Sequence, residues 1–243
     1  VRSRKRHVQQ QLFKSHGGKR RDAGRPAKGP RASEPHKRRP ALSPRYPVHV
    51  TLRVAADLKC LRTRQLFLAI REATLRTARR EDFRIIHLSI QSNHVHLLVE
   101  AADRMALARG MQGFEGSAAK HVNRVISKHR GVRRRGAVFP DRYHPRILKS
   151  PTSVRHALSY VLNNWRHHGE DRGRTWLVDP FSSGISFPGW RELAGAVVMW
   201  KPPPNYRALW VWLPTTWLLR AGWPLAGPIS ARDVPGTPRI EAT

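Results

Sequence analysis

Residues 83–101 read FRIIHLSIQSNHVHLLVEA, two apolar runs around the polar pair Ser92-Asn93. Each run has the length and β-branched content of a strand, and the pair between them is a two-residue turn signal, so the stretch predicts an antiparallel hairpin. On the second strand, successive side chains point to opposite faces. Val95, Leu97 and Val99 therefore share one face, and His94 and His96 share the other. One face suits a core; the other presents two imidazoles side by side, about 7 Å apart at the backbone.

Upstream, PVHVTLRVA (47–55) alternates as a strand with Val48, Val50, Leu52 and Val54 on one face. TRQLFLAIREATLRTARR (63–80) places Leu66, Ile70, Ala73 and Leu75 at near-helical spacing opposite arginines, an amphipathic helix. Downstream, RMALARGMQGFEGSAAKHVNRVIS (104–127) reads as a second helix, with Gly110, Gly113 and Gly116 weakening its continuity. AVFPDRYHPRIL (137–148) is partly extended. In SPTSVRHALSYVLNNWRHHG (150–169), Pro151 marks a helix start and Gly169 a stop. The order β-α-β-β-α-β followed by a further helix is that of an α+β, ferredoxin-like split βαβ sandwich, an antiparallel sheet with two helices on one face. The other sheet face is then expected to be open, with His94 and His96 on it.

The chain has 243 residues, with 46 Lys and Arg against 16 Asp and Glu, a net charge of +30. Such an excess predicts a polyanionic partner, nucleic acid first. Residues 1–46 are rich in Lys, Arg, Gly and Pro, carry only Asp22 and Glu34 as acids, and read as a disordered basic arm. All eight tryptophans lie from Trp165 onward. Residues 186–243 form a Trp- and Pro-rich extension, either wrapped on the core or folded as a small helical module around 206–223. Its apolar stretch ALWVWLPTTWLLRAGW (208–223) is interrupted by Pro214 and Arg220, which argues against a membrane span. No apolar segment follows the basic start, so no secretory signal is expected and a cytoplasmic location follows.

Cys60 is the single cysteine, which excludes an intramolecular disulfide and any Cys-cluster zinc site. His94 and His96 on one strand face can hold one divalent cation, although such pairs are often merely hydrogen-bonded. With two histidines and no thiolate, Mg²⁺ or Mn²⁺ completed by oxygen ligands fits best. Carboxylates are few and scattered, and there is no phosphate-binding Gly-rich loop and no G-x-S-x-G. The remaining covalent nucleophile is tyrosine. Of Tyr46, Tyr143, Tyr160 and Tyr206, only Tyr160 shares a helix face with polar company, Asn164 four residues on and His168 a turn further.

Three motifs in this order, NHVHLLVEA, DRYHPRIL and VRHALSYVLNN followed by RHHG, resemble the HUH superfamily of single-strand DNA nickases. Within it they are similar to the single-tyrosine IS200-like transposases, especially the REP-associated ones, over roughly residues 45–185. The resemblance implies that residues 47–185 are a catalytic domain, with Tyr160 as nucleophile and His94, His96 and Asn164 as ligands of Mg²⁺ or Mn²⁺. It implies a 5′-phosphotyrosine intermediate and a single-stranded, hairpin-forming DNA substrate. Arg142, Arg146 and Arg155 are then candidates for holding backbone phosphates, and Tyr143 for an aromatic on the substrate groove. Many REP-associated members continue the tyrosine helix with Asn-Pro; here Trp165 follows Asn164, so the chain exit differs. Monomer and homodimer remain open. The rival readings are a non-catalytic nucleic-acid-binding protein and an inactive transposase copy; the absence of Phe or Tyr from the exposed strand face argues against an RNA-stacking sheet.

Overall fold

The computed structural model describes residues 39–195 and 199–236. The expected basic arm lies largely outside the described residues. The elements are β1 (Val48–Arg53), α1 (Arg64–Thr77), β2 (Phe83–Ile90), β3 (His94–Ala101), α2 (Arg104–Arg130), β4 (His144–Ile147) and α3 (Pro151–His167). The four strands form one sheet in the order β2-β3-β1-β4, and every adjacent pair is antiparallel. This is the expected α+β split βαβ arrangement. The hairpin closes as predicted, with the Gln91 amide donating to the His94 carbonyl across Ser92-Asn93 at 2.9 Å.

Local chemistry starts and stops the helices. Thr63 and Asp103 cap α1 and α2 by accepting from the amides of Leu66 and Ala106, and α2 ends on Gly131 in the left-handed conformation at φ 67°. Ser150 and Ser153 form a reciprocal capping box on α3, with Pro151 in its first turn. α2 runs unbroken through all three glycines. Gly110 admits the Phe83 ring, which would lie 2.1 Å from a Cβ at that position.

The alternating valines do what their period requires. Val48, Val50 and Leu52 of β1 and Val95, Leu97 and Val99 of β3 meet Phe67 and Ile70 of α1 and Met111 and Phe114 of α2 in one core. Burial of this apolar surface is the main driving term for the sheet-helix sandwich.

The opposite face is not left open, contrary to expectation. A register shift between Ile85 and His87 turns Ile86 to this side, where it joins Leu98. Val154, Leu158, Val161 and Leu162 of α3 cover these residues, and Trp190, Leu218, Leu219, Trp223 and Ile229 of the C-terminal extension close over them. The extension wraps the domain. Its Trp212 amide donates to the Ile85 carbonyl at the sheet edge, and the buried Glu100 carboxylate accepts from the amides and hydroxyls of Thr215 and Thr216. Farther back, Arg62 donates to both carboxylate oxygens of Asp179 at 2.8 and 2.9 Å. Among the described residues no helix is long and apolar enough to cross a membrane.

Candidate active site

One part of the second sheet face gathers histidines and a threonine. The β1–β3 register sets Thr51 opposite His96 and Arg53 opposite His94, and β4 adds His144 opposite Thr51 and Arg146 opposite His49. The alternation that sends valines to the helix side sends His49, Thr51, His94 and His96 to this one. α3 lies across them.

The imidazoles of His94 and His96 meet edge to face with ring centres 4.6 Å apart, and the Tyr160 ring stands 5.1 Å from that of His96. Asn164, one turn along α3, donates from Nδ2 to His94 Nε2 at 3.3 Å. The structure thus brings together the two strand histidines and the two helix residues that the spacing had singled out. His168 approaches His94 at 5.2 Å between ring centres.

On the far side of each ring, Nδ1 is engaged. His94 Nδ1 lies 2.6 Å from Asn93 Oδ1, and His96 Nδ1 lies 3.1 Å from both His49 Nε2 and Thr51 Oγ1. Burial is the main cause holding His49 and His94 to pKa values of about 4 and His96 well below the ordinary imidazole value; neighbouring cationic groups add to it. These rings are neutral at pH 7; His96 Nε2 has no partner, whereas His94 Nε2 is held by the Asn164 amide. Burial also raises the Tyr160 phenol above its usual value, so its proton does not leave unaided.

Two buried polar atoms in this cluster, His96 Nε2 and Asn164 Oδ1, have no hydrogen-bond partner. Orphaned polar atoms of this kind cost about 1–3 kcal/mol each. A divalent cation would satisfy both, and neutral imidazole with amide oxygen is a donor set that Mg²⁺ or Mn²⁺ accepts when water or phosphate oxygens fill the remaining positions. Among the described residues no group of three or more His, Cys, Asp or Glu side chains is gathered to hold a metal. The fit therefore rests on two imidazoles and an amide.

Tyr160, His96, His49, His144, Arg146 and Arg155 line a cavity of about 1000 Å³, closed on one side by Asp233–Gly236. Arg146 is exposed at its rim. Arg155 is buried and donates to the Pro228 carbonyl and to Asp233 at 2.7 and 3.1 Å, which ties it to the C-terminal segment. Arg142 does not line the cavity. Tyr143 corrects the sequence reading: it is 7% exposed, packs in the helix-side core, and carries the Arg39 guanidinium 3.4 Å above its ring. Its neighbours His144 and Arg146 face the cavity, and strand alternation turns Tyr143 the other way. His49, Thr51 and His144 went unnoticed in the sequence. The period of VHVTLR places His49 and Thr51 on the non-valine face, but only the register sets them against His96.

A family profile described as transposase, IS200 like, matches residues 44–164, a span that contains both strand histidines, Tyr160 and Asn164. That match gives the class as a transposase. Through that segment the chain belongs to the IS200-like transposase family. Among solved structures it is similar to a REP-associated tyrosine transposase bound to a REP hairpin, at 15% identity and TM-score 0.45, over 75% of this chain and 100% of that one. It is also similar to a chain from Deinococcus radiodurans R1 described as a transposase, at 13% identity and TM-score 0.34, over 57% of this chain and 96% of that one. No curated protein matches it.

Proposed function

We propose that this transposase nicks and rejoins single-stranded DNA through a covalent bond to Tyr160. The observation that carries the reading is the meeting of Tyr160 with His96, one helix turn from Asn164, with His96 Nε2 and Asn164 Oδ1 buried and unpartnered, beside a cavity with a basic rim. The phenol oxygen attacks the scissile phosphorus in line. One P–O bond forms to Tyr160, the bond to the 3′ oxygen breaks, the phenol proton ends on that departing oxygen, and the products are a 5′-phosphotyrosine and a free 3′-hydroxyl. The phosphodiester energy stays in the protein-DNA bond, and attack by a second strand's 3′-hydroxyl releases Tyr160 and completes strand transfer.

His94, His96 and Asn164 would hold Mg²⁺ or Mn²⁺, which supplies charge neutralisation at the phosphate. Asn93, His49 and Thr51 hold the two imidazoles in place from behind. Arg146 and His144, which line the cavity, would receive backbone phosphates of a DNA strand, and the net charge of +30 favours its approach. Arg142 would act, if at all, on DNA outside the cavity, and Arg155 chiefly holds Asp233 in its wall. A hairpin beside the cleaved strand is the substrate form we favour, and the protein acts as a monomer or a homodimer in the cytoplasm.

Incubation with a labelled library of single-stranded hairpins and Mn²⁺, followed by denaturing gels and mass spectrometry, tests this. The expected result is a DNA-peptide adduct on Tyr160 that Tyr160→Phe and a chelator each abolish. No adduct from a demonstrably folded protein across a broad library would favour a binding protein or an inactive copy.

A further inference from the structure

His96 differs from His94 in what stands behind it. His94 leans on its sequence neighbour Asn93, an exposed contact, whereas His96 is backed by two residues of a different strand. His49 Nε2 and Thr51 Oγ1 both lie 3.1 Å from His96 Nδ1, and the forward nitrogen, Nε2, is buried without a partner. A neutral imidazole carries one ring proton. On Nδ1, that proton meets the Thr51 hydroxyl oxygen, which always has lone pairs to accept it, and the His49 ring nitrogen, which accepts when its own proton sits on Nδ1; on Nε2, it would be a buried donor with nothing to accept it, a state that costs more than the alternative. The arrangement therefore selects the tautomer whose forward nitrogen is a bare lone pair. His49 also meets the Tyr160 ring edge-on at 5.8 Å between centres, so one side chain abuts both the ligand and the nucleophile.

We propose that His49 and Thr51 are positioning residues: together they keep the His96 proton on Nδ1 and aim Nε2 at the cation that the proposed function requires. The inference rests on that function for its purpose, but the tautomer itself is a property of the protein alone. Groups that back a metal-binding histidine fix its ring and raise its basicity, and their loss typically costs 10–100-fold in metal affinity. Neither carboxylate nor backbone carbonyl backs this ring; a neutral imidazole and a hydroxyl do. β1 supplies both through residues two apart on one strand face.

Two measurements on the full chain separate the inference from the function beneath it. Two-bond proton-nitrogen NMR of the metal-free protein reads the His96 tautomer directly. We expect Nδ1 to be the protonated nitrogen in the unsubstituted protein, and the double variant His49→Leu, Thr51→Val to move that proton to Nε2 or leave it mixed. His49→Gln keeps an acceptor oxygen in reach and should restore the Nδ1 form. Mn²⁺ affinity, followed by electron paramagnetic resonance without DNA, should fall 10–100-fold in the double variant and recover most of the way in His49→Gln, with melting temperatures reported alongside. A protonated Nε2 in the unsubstituted protein overturns the inference, and so does unchanged Mn²⁺ affinity in a folded double variant. Failure of the unsubstituted protein to bind Mn²⁺ at all, with Nδ1 protonated, would instead overturn the cation reading and the purpose assigned to His49 and Thr51 with it.

Discussion

His87 lies on the same sheet face as His96 but in its dry part. It is fully enclosed, with Nδ1 3.1 Å from Ser183 Oγ, which in turn accepts from the Leu88 amide at 3.0 Å. Burial lowers its pKa to about 4, against 6.5 for a free imidazole. Above pH 6.5 the ring is neutral in folded and unfolded chains alike and contributes no pH dependence. As pH falls from 6.5 toward 4, the unfolded chain takes up a proton that the folded one refuses, and stability drops by about 3 kcal/mol at pH 4 from this group. Urea unfolding of the unsubstituted protein should therefore weaken steadily over that window. In His87→Gln the loss between pH 7 and 4 should be smaller by about that amount, leaving the contributions of other shifted groups, among them His49, His94, His96, His121 and His168 in the same direction and Glu115 in the opposite one; an unchanged slope would show that His87 is protonated in the fold.

At the scale of elements, the first two of the three glycines of α2 make opposite predictions. Gly110 lies against the Phe83 ring, so a methyl group there pushes β2 away from the helix, and Gly110→Ala should cost about 1–3 kcal/mol as overpacking does. Gly113 is exposed with open space around its Cβ position, and Gly113→Ala should stabilise by about 0.5–1 kcal/mol through helix propensity. Thermal melts of the two variants check both signs. β4 shows why an element was legible only in part: the sequence suggests an extended stretch over 137–148, whereas pairing is confined to His144–Ile147. Pro145 lacks an amide proton, and the strand occupies the sheet edge, where a missing donor is tolerated.

For the whole molecule, the chain after α3 is part of the core. Arg62, 8% exposed at its side chain, pairs with the fully buried Asp179, and also donates to the Ile90 carbonyl at the hairpin end. Burial raises the Asp179 pKa in spite of the guanidinium beside it, so the pair offsets a large desolvation cost and does not tolerate the loss of one member. Arg62→Met should lower unfolding free energy by about 3–5 kcal/mol in urea titrations. Removal of residues 186–243 would bare the faces of Val154, Leu158, Val161 and Leu162 now covered by Trp190, Leu218, Leu219 and Trp223. The shortened chain should bind a hydrophobic dye and elute as aggregate in size exclusion; a monodisperse, dye-negative product would show that residues 47–185 fold alone.

Periodicity and caps made most of the domain readable from the sequence, because each is a local property. The two-residue alternation of 94–101 placed His94 and His96 together, the four-residue spacing of a helix placed Tyr160 with Asn164, and Ser150-Pro151 marked where that helix begins. Strand order followed from the β-α-β-β-α-β sequence, since the fold has few alternatives for it. Register, by contrast, is a long-range pairing. Nothing within residues 47–55 says that His49 and Thr51 stand behind His96, or that Tyr143 turns into the core while His144 and Arg146 turn out. The extension has no period of its own and folds only by packing on α3 and the sheet edge. Its closure over the second sheet face, and with it the shape of the cavity beside Tyr160, was decided by tertiary burial alone.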